Sequence, residues 1–591
     1  MPQITIIEQK KMQKVPEGTT LMDALRTMGA AIDAPCGGRG QCGKCQVLIQ
    51  EQNASGNEWK RVTACQYPIL KDLFVSLIPA GQNLILETGS GSIHILEPVV
   101  RGILAKIPRC PIGEASSDCR RVIHALGPNT VIPLSVSKNL LSRLEAIKYD
   151  GYFILCENTL ADIRPEPVPH YVLAYDIGTT TVVSYLLDAE TGQTLAVSST
   201  LNPQTAYGAD VISRSEYAEK DLDQTLTKII RSALNELAVK NAGKAGISLQ
   251  DIYFAAIVGN TCMHHLYLGV SPSSLLRAPY NATVDQMQYL TPSESGLRIH
   301  PEGKVCVLPV IAGYVGADTI GVLLSLPKDT FARLTLMLDI GTNGELVLGQ
   351  GSRLLTCSTA AGPAFEGAKI TYGMRGAPGA VDHVSLHPEQ KRLLLSVIGD
   401  TAPAGICGSG LIDLIFCLLK LGILSSKGRL LSPDRWRPEV RHLYEHRLIR
   451  RDGILVFLLT DDPKGVCLTQ KDIREVQLAK ASIAAGIRIL CEQMDVSVSD
   501  IQSVLLAGAF GSFMSPESAC GIGLIPDVLN TRIHAIGNAA GEGAKAAALD
   551  RTVLARSQTL PETIEFVELA ASAHFQDTYL NMLDFPEVPR S

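Results

Sequence analysis

Four cysteines near the start of the sequence have the residue type and the spacing of metal ligands. Cys36, Cys42 and Cys45 fall within ten residues of glycine-rich chain, and Cys65 follows after nineteen more. Glycine lets such a loop wrap inward, so three thiolates can approach one metal centre from the same side while backbone N–H groups bond to sulfide. A fourth ligand from a distant loop then closes the site.

The spacing of these cysteines separates three kinds of metal site. Zinc sites favour two short cysteine pairs, and bacterial 4Fe-4S loops read C-x2-C-x2-C. Here C-x5-C-x2-C precedes a lone cysteine, which is close to the plant-type 2Fe-2S pattern but one residue longer. The longer gap resembles that of the adrenodoxin-like ferredoxins. We therefore predict a 2Fe-2S cluster held by Cys36, Cys42, Cys45 and Cys65.

The elements around the cysteines are predicted in the order of a β-grasp ferredoxin. Residues after Thr20 read as a capped helix that ends at Gly29. Alternating apolar residues predict strands over 4–8, 46–50 and 73–77. We assign 1–80 to a ferredoxin-like domain and 81–98, which contains Thr-Gly-Ser-Gly-Ser, to a linker.

Two further motifs, about 160 residues apart, have the composition of phosphate-binding turns. Each follows an apolar strand and combines an aspartate, a glycine and short hydroxyl or amide side chains. The runs are Asp176-Ile-Gly178-Thr179-Thr180 and Asp339-Ile-Gly341-Thr342-Asn343-Gly344. Glycine lets the backbone approach a phosphate, the following N–H groups and side chains donate to its oxygens, and the aspartate faces Mg2+ or the attacking water. Two such turns indicate a duplicated fold with facing phosphate loops, in which Asp176 and Asp339 are catalytic.

Later motifs complete a resemblance to the superfamily of acetate and sugar kinases, heat-shock chaperones and actin. A buried strand runs into a turn with Gly508 and Gly511, at the place of that superfamily's adenosine motif, and Ala509 stands where many relatives have a second glycine. The small-residue helix that begins near 537 suits close packing at a hinge. The resemblance implies ATP and Mg2+ as cofactors, with Gly508 and Gly511 near the nucleotide.

Composition limits the other classes of function. The chain has 591 residues, of which 46% are hydrophobic and 19% charged, and its net charge is −6. These values exclude a mainly disordered protein and give no basic footprint for nucleic acid. The longest apolar candidate, 410–424, is too short to span a membrane and contains Asp413 and Lys420. Fifteen cysteines without an apolar signal core predict a reducing, cytoplasmic setting.

Several blocks of sequence along the chain resemble those of one family, the reductive activators of corrinoid proteins. Besides the cysteine loop, the matching blocks are Val258–Leu266, Ala361–Gly367, Ala404–Asp413 and Thr469–Ile473. The resemblance implies a multidomain fold of α+β and α/β units. Its parts are a β-grasp 2Fe-2S ferredoxin (1–80), a linker (81–98), a small middle domain (99–164) and duplicated actin-like, ribonuclease H-like ATPase lobes (165–333 and 334–591).

This family resemblance implies that the protein restores corrinoid methyl carriers from inactive Co(II) to active Co(I). It would pass one electron through its 2Fe-2S cluster and couple the transfer to ATP. The implied partners are a corrinoid protein, an upstream electron donor and a second copy of the chain, with neither nucleic acid nor membrane. The alternatives are an ATP-dependent electron activator of another low-potential metalloenzyme, a small-molecule kinase with an accessory redox domain, and a nucleotide-switched binding protein.

Overall fold

The structure is a computed structural model that describes residues 1–7, 11–30, 40, 45–51, 59–77, 93–341, 343–387 and 389–588. Three predicted site residues, Cys36, Cys42 and Thr342, lie outside the described residues, as does most of the predicted linker 81–98. Within the described ranges, no helix is long and apolar enough to cross a membrane.

The first unit is a five-stranded mixed sheet packed against a short helix. Its described elements are β1 (Gln3–Ile6), β2 (Lys11–Lys14), α1 (Leu21–Thr27), β3 (Gln46–Glu51), β4 (Lys60–Thr63) and β5 (Leu73–Leu77). The order is β2-β1-β5-β3-β4, with β1 and β5 parallel. Thr20 caps α1 by accepting a hydrogen bond from the N–H of Asp23 at 3.2 Å, and Leu21 and Leu25 are fully buried in the core of the unit. The predicted β-grasp order is confirmed.

The second unit is a three-stranded antiparallel sheet with short helices on one face. Its elements are β6 (Val100–Lys106), α2 (Asp118–Leu126), α3 (Leu134–Ser137), α4 (Leu140–Ala146), β7 (Asp150–Cys156) and β8 (Thr159–Arg164). The order is β6-β7-β8. Val122, Leu140 and Leu144 from the helices bury against Phe153 of the central strand.

The third unit contains the first of the two repeated strand–turn–strand motifs. Its elements are β9 (Tyr171–Ile177), β10 (Thr181–Asp188), β11 (Thr194–Leu201), α5 (Val211–Ala218), α6 (Thr225–Ala245), β12 (Ile252–Gly259), α7 (Thr261–Leu268), β13 (Gln288–Leu290), α8 (Pro292–Ser295), β14 (Lys304–Val307) and α9 (Ala317–Ser325). The sheet order is β11-β10-β9-β12-β14-β13. We call this unit the first lobe.

The fourth unit, the second lobe, contains the repeat of that motif. Its elements are β15 (Thr335–Ile340), β16 (Gly344–Gln350), β17 (Arg353–Thr359), β18 (Ala380–Leu386), β19 (Leu393–Val397), β20 (Gly405–Ile406), α10 (Gly408–Leu421), α11 (Pro438–Tyr444), β21 (Leu448–Arg451), β22 (Ile454–Leu458), β23 (Cys467–Thr469), α12 (Gln470–Gln493), β24 (Ser503–Ala507), α13 (Gly508–Phe513), α14 (Pro516–Gly521), β25 (Ile533–Gly537), α15 (Ala539–Leu549), α16 (Arg551–Thr559), β26 (Ile564–Phe566) and α17 (Phe575–Asn581). Its main sheet has the order β25-β24-β15-β16-β17-β26.

The two lobes share one topology, as the internal repeat predicts. In each lobe three consecutive strands form an antiparallel meander, β9-β10-β11 or β15-β16-β17. A later strand, β12 or β24, then pairs in parallel with the first strand of the meander. Each first strand has an aspartate as its second-to-last residue and is followed by a turn. The duplication therefore brings two equivalent turns to the same cleft. The predicted duplicated actin-like architecture is confirmed.

Two small-residue helices pack closely where the lobes meet. Helix α15 lies against α9 and also against β9 and β12 of the first lobe. A side chain on Gly543 would place its Cβ 1.8 Å from the carbonyl oxygen of Gly321, so the two backbones touch at these glycines. The small residues near 537 therefore allow a close helix crossing, as their composition predicts.

Candidate active site

The structure brings the turn that carries Cys65 next to Cys45 and Gly40. Cys45, which directly precedes β3, is buried, and its carbonyl accepts a hydrogen bond from the N–H of Ala64 at 2.7 Å. The side chain of Gln66 donates to the carbonyl of Gly40 at 3.1 Å. Cys65 is a free thiol. The two cysteines that the structure describes in this unit therefore lie on adjoining segments.

A cavity of about 380 Å³ lies between the two lobes at the ends of β9 and β15. It collects residues that the two repeated motifs and the adenosine motif predicted. Those that line it are Asp176, Gly178, Thr179, Thr180, Asp339, Gly341, Asn343 and Gly508. The duplicated turns therefore face one another across a single space large enough to hold a small-molecule ligand.

Two glycines predicted to contact nucleotide do not line this cavity. A Cβ on Gly344 would lie 2.6 Å from the hydroxyl of Thr359 on the neighbouring strand. A Cβ on Gly511 would meet Leu506 at 3.0 Å. Both glycines pack closely against neighbouring residues of the second lobe.

The turn between β9 and β10 is tied to both lobes by its hydroxyl groups. The side-chain amide of Asn260 donates to Oγ1 of Thr179 at 2.8 Å, and Oγ1 of Thr180 donates to Oε2 of Glu366 at 2.9 Å. Asn260 belongs to the first lobe, whereas Glu366 belongs to the second. The Thr180–Glu366 hydrogen bond therefore spans the cleft at the predicted phosphate site.

Four of the carboxylates that line the cavity have a raised pKa. Burial raises the pKa of Asp176 to about 7, and the negative charges of Asp318 and Asp339 contribute, while a hydrogen bond from Asn538 opposes the rise. Burial raises the pKa of Asp339 to about 7, with Asp318 adding to the effect. Burial also raises the pKa of Asp318 to about 6 and that of Glu345 well above its usual value. Burial, helped at Asp176, Asp339 and Glu345 by the charges of neighbouring carboxylates, therefore disfavours the ionised forms of these groups.

Asp318 and Glu345 were not among the residues that the sequence predicted. Asp318 lies in the first turn of the apolar helix α9, and Glu345 follows the second phosphate turn by one residue along β16. Among the described residues, no group of three His, Cys, Asp or Glu side chains is close enough to hold a metal ion directly.

Helix amino termini supply a positive counterpart to these carboxylates. Helices α9, α10 and α15 begin at the cavity wall, which includes Asp318, Gly408 and Asn538. The backbone N–H groups and dipoles of helix amino termini favour an anion in the space they face. Arg375 also lines the cavity. The cleft thus offers carboxylates for a cation and helix termini for phosphate.

One wall of the cavity is apolar. The rings of Phe365 and Phe510 stack with their centroids 5.3 Å apart and an interplanar angle of 16°. Met374 and Ile398 also line this part of the space. A nucleotide base could lie against such a wall while its phosphates reach the two turns.

Three family models match the chain and together cover most of it. The 2Fe-2S iron-sulfur cluster binding domain matches residues 4–70. The RACo middle region matches residues 171–327, and the C-terminal domain of RACo, described as the ASKHA domain, matches residues 333–590. The class of protein is therefore an iron–sulfur ferredoxin domain joined to an actin-like ATPase.

Similar proteins narrow this class. The corrinoid activation enzyme RamQ of Eubacterium limosum is 35% identical over 589 residues, covering 96% of each chain. A solved structure of a reductive activator for corrinoid, iron-sulfur protein is 29% identical, with a TM-score of 0.74 over 99% of this chain and 98% of that one. A reductase of Methanosarcina barkeri that acts on the Co(II) form of a methylated amine-specific corrinoid protein is 25% identical over 48% of this chain and 52% of its own. The chain belongs to the RACo family of reductive activators of corrinoid proteins.

Proposed function

We propose that this protein is an ATP-dependent reductive activator that returns a corrinoid protein from Co(II) to Co(I). The proposal rests on one observation above all: the same chain joins a ferredoxin-like unit, with Cys45 beside the Cys65 turn, to a two-lobed cavity with twin Asp–Gly turns. Membership of the RACo family supports it. An accessory redox domain has no role in a simple kinase.

The cluster site takes four thiolates, Cys36, Cys42, Cys45 and Cys65. A 2Fe-2S cluster held there would supply one-electron transfer. The C-x5-C-x2-C spacing and the neighbouring Gln66–Gly40 hydrogen bond support this cluster type. An upstream donor reduces the protein, and the corrinoid protein is the acceptor.

The residues of the cleft bind ATP and activate its hydrolysis. Asp176 and Asp339 would hold Mg2+, which would neutralise phosphate charge, and they would orient the attacking water. Thr179, Thr180, Thr342 and Asn343 donate to phosphate oxygens, and Gly178, Gly341 and Gly508 let the backbone approach. Hydrolysis sends a proton from the attacking water to a carboxylate. The raised pKa values of Asp176 and Asp339, both about 7, suit that role.

ATP is needed because the electron transfer is uphill. Plant-type 2Fe-2S centres lie near about −400 mV, and the Co(II)/Co(I) couple of these carriers lies lower. Each ~59 mV of deficit makes a one-electron transfer about tenfold less favourable. Nucleotide supplies the missing free energy only if it binds one conformation better than another. Closure of the two lobes across the Thr180–Glu366 contact is such a change.

The test is anaerobic reduction of a Co(II) corrinoid protein followed by its absorption spectrum. With the purified protein and a reductant, we expect the Co(I) spectrum to appear only after ATP is added. Reduction at the same rate and extent without ATP would exclude the proposal. Phosphate transfer to a metabolite, with no Co(I), would favour the kinase alternative.

The setting of the protein is also proposed. We expect a homodimer in a reducing cytoplasm, which suits fifteen cysteines. Light scattering of the purified protein measures its mass directly. A monomeric mass across the working concentration range would exclude the proposed homodimer.

A further inference from the structure

The ferredoxin-like unit touches the first lobe through the last turn of α1. The guanidinium of Arg26 donates from Nε to the carbonyl of Ala206 at 2.8 Å, and Nη2 donates to the same oxygen. The guanidinium also lies over the ring of Tyr207, 5.1 Å from its centroid. The Arg26 side chain is only 14% exposed. This contact is specific because the planar guanidinium of Arg26 must donate to a carbonyl and lie over an aromatic ring at the same time.

The lobe side of this contact is rigid. Ala206 ends a short 3-10 turn, Pro203–Ala206, and is buried. The next residue, Tyr207, packs edge-on against Tyr217 of α5 with the ring centroids 4.8 Å apart. Arg26 is therefore received by a surface that is already held in place within the first lobe.

Ala206 and Tyr207 belong to segment 202–207. The first residue of this segment, Asn202, contacts the predicted phosphate turn. The side-chain amide of Asn202 donates to the carbonyl of Gly178 at 2.8 Å, and its backbone N–H donates to the carbonyl of Thr180, also at 2.8 Å. Arg214 of α5 donates to the carbonyl of Thr179 at 2.5 Å. All three backbone carbonyls of the turn 178–180 therefore accept a hydrogen bond from Asn202 or Arg214.

Buried polar contacts connect these two ends. Arg214 is fully buried and also donates to the carbonyl of Gly208 at 2.9 Å. The side chain of Gln204, also fully buried, is fixed by donating to the carbonyl of Leu226 at 3.0 Å. A shift of the phosphate turn must therefore move segment 202–207 or break buried hydrogen bonds, and breaking them is costly.

We propose that segment 202–207 couples the phosphate turn to the docking of the ferredoxin-like unit, with Arg26 as the positioning residue. ATP that engages 178–180 changes where Ala206 and Tyr207 lie, and so changes how firmly the cluster-carrying unit is held on the first lobe. This inference rests on the proposed function, because it takes 178–180 as a phosphate site. It adds the route by which nucleotide reaches the redox unit.

Thermodynamic linkage makes the coupling measurable from either end. If nucleotide changes docking by some factor, docking changes nucleotide affinity by the same factor. Removing the Arg26 contact must then alter the affinity for ATP, although Arg26 does not line the cavity. Coupling of ordinary size predicts a change of about fivefold or more.

The experiment compares three variants of the full-length protein with its cluster in place. Arg26→Ala and Tyr207→Leu remove the contact from opposite sides. Lys71→Ala is the matched control, because Lys71 pairs with Glu51 inside the ferredoxin-like unit, at 3.0 Å. The affinity for a non-hydrolysable ATP analogue is measured by calorimetry, and hydrogen exchange is followed at 21–27 and 203–207.

We expect both contact variants to shift the affinity for the analogue about fivefold in the same direction, and to exchange faster at 21–27 and 203–207. The double variant should shift it no further than either single one. Lys71→Ala should match the wild type, and all variants should keep the cluster absorption spectrum.

Two outcomes overturn the inference. One is unchanged affinity in Arg26→Ala although exchange at 21–27 rises, which would mean docking without coupling. The other is unchanged exchange, which would mean that Arg26 does not hold the unit. Either outcome can occur while the wild type still reduces a corrinoid protein with ATP, so failure of this inference is distinct from failure of the proposed function.

Discussion

At the scale of single residues, the cavity concentrates negative charge. Burial is the main reason why four carboxyl groups have a raised pKa, namely those of Asp176, Asp318, Asp339 and Glu345. Among the described residues that line the cavity, Arg375 is the sole basic side chain. The protein therefore keeps at its centre a group of charges that oppose folding unless a cation joins them.

Asp318→Asn is expected to stabilise the nucleotide-free protein at alkaline pH. A folded pKa of about 6, above the unfolded value, means that the folded state binds the extra proton. The stability from that proton is complete below the unfolded pKa and is lost as the pH rises through about 6. Because Asp318 is partly open to the cavity, we expect a gain of about 1 kcal/mol at pH 8 and almost none at pH 4. Thermal unfolding at both pH values, with the exposed Asp223→Asn as control, checks this.

Asp339→Asn is expected to lower ATP hydrolysis about a hundredfold. The amide cannot accept a proton from water, and it weakens the attraction for Mg2+. The cluster absorption spectrum should stay the same, because the cysteine site belongs to another unit. Steady-state phosphate release measures the effect, again with Asp223→Asn as control, and an unchanged rate would remove the assigned role.

Cys65→Ser is expected to abolish or visibly distort the cluster spectrum. Its turn lies next to Cys45 and Gly40, so it can supply the fourth thiolate. Cys110→Ser, a half-buried thiol outside that unit, should leave the spectrum unchanged. Visible absorption and electron paramagnetic resonance of the reduced proteins report the difference. A normal spectrum in Cys65→Ser would contradict the predicted ligand set.

At the scale of elements, short turns after strands form the site. Gly508 has φ +80° at the end of β24, and a Cβ there would lie 2.7 Å from Oδ1 of Asp339. This glycine therefore both allows the left-handed turn and leaves room for the carboxylate of Asp339. The same position carries the adenosine motif of the sequence.

Gly508→Ala is expected to weaken ATP-analogue binding at least tenfold and to cost about 1–2 kcal/mol of stability. Gly351→Ala is the matched control, because Gly351 has φ +62° and nothing within 4 Å of its Cβ. The control should share the backbone cost but keep its affinity for the analogue. Calorimetric titration and thermal unfolding separate the two effects. Equal affinities in the two variants would show that strain alone matters at Gly508.

The sequence predicted the elements near the site better than the site itself. Strand–turn repeats are local signals, so the twin Asp–Gly turns and the capping of α1 by Thr20 could be read directly. Asp318 could not, because it reaches the cavity through the packing of α9 against the first lobe's sheet. The close approach of Gly344 to Thr359 could not be predicted either, because it depends on the pairing of β16 with β17.

At the scale of the whole molecule, the lobes meet at the glycine crossing of α9 and α15. Gly543→Ala is expected to destabilise the protein by about 2–3 kcal/mol, because the added Cβ would lie 1.8 Å from the carbonyl of Gly321. Gly243→Ala in α6, where nothing lies within 4 Å, should instead stabilise by about 0.5–1 kcal/mol. Chemical denaturation of both variants checks the opposite signs, and a neutral Gly543→Ala would mean that the crossing is loose.

The position of α15 has a consequence for how the protein is made. This helix covers strands β9 and β12, although about 280 residues separate it from β12 in the chain. The N–H of Val99 also donates to the carbonyl of Leu549, and that of Arg551 to the carbonyl of Glu97. On the ribosome, the ferredoxin-like unit can fold once residue 77 has emerged. One face of the first lobe's sheet, however, stays uncovered until α15 has been synthesised, near the end of the chain. During synthesis the redox unit is therefore finished first, and the nascent ATPase must be protected from aggregation until its last helices emerge.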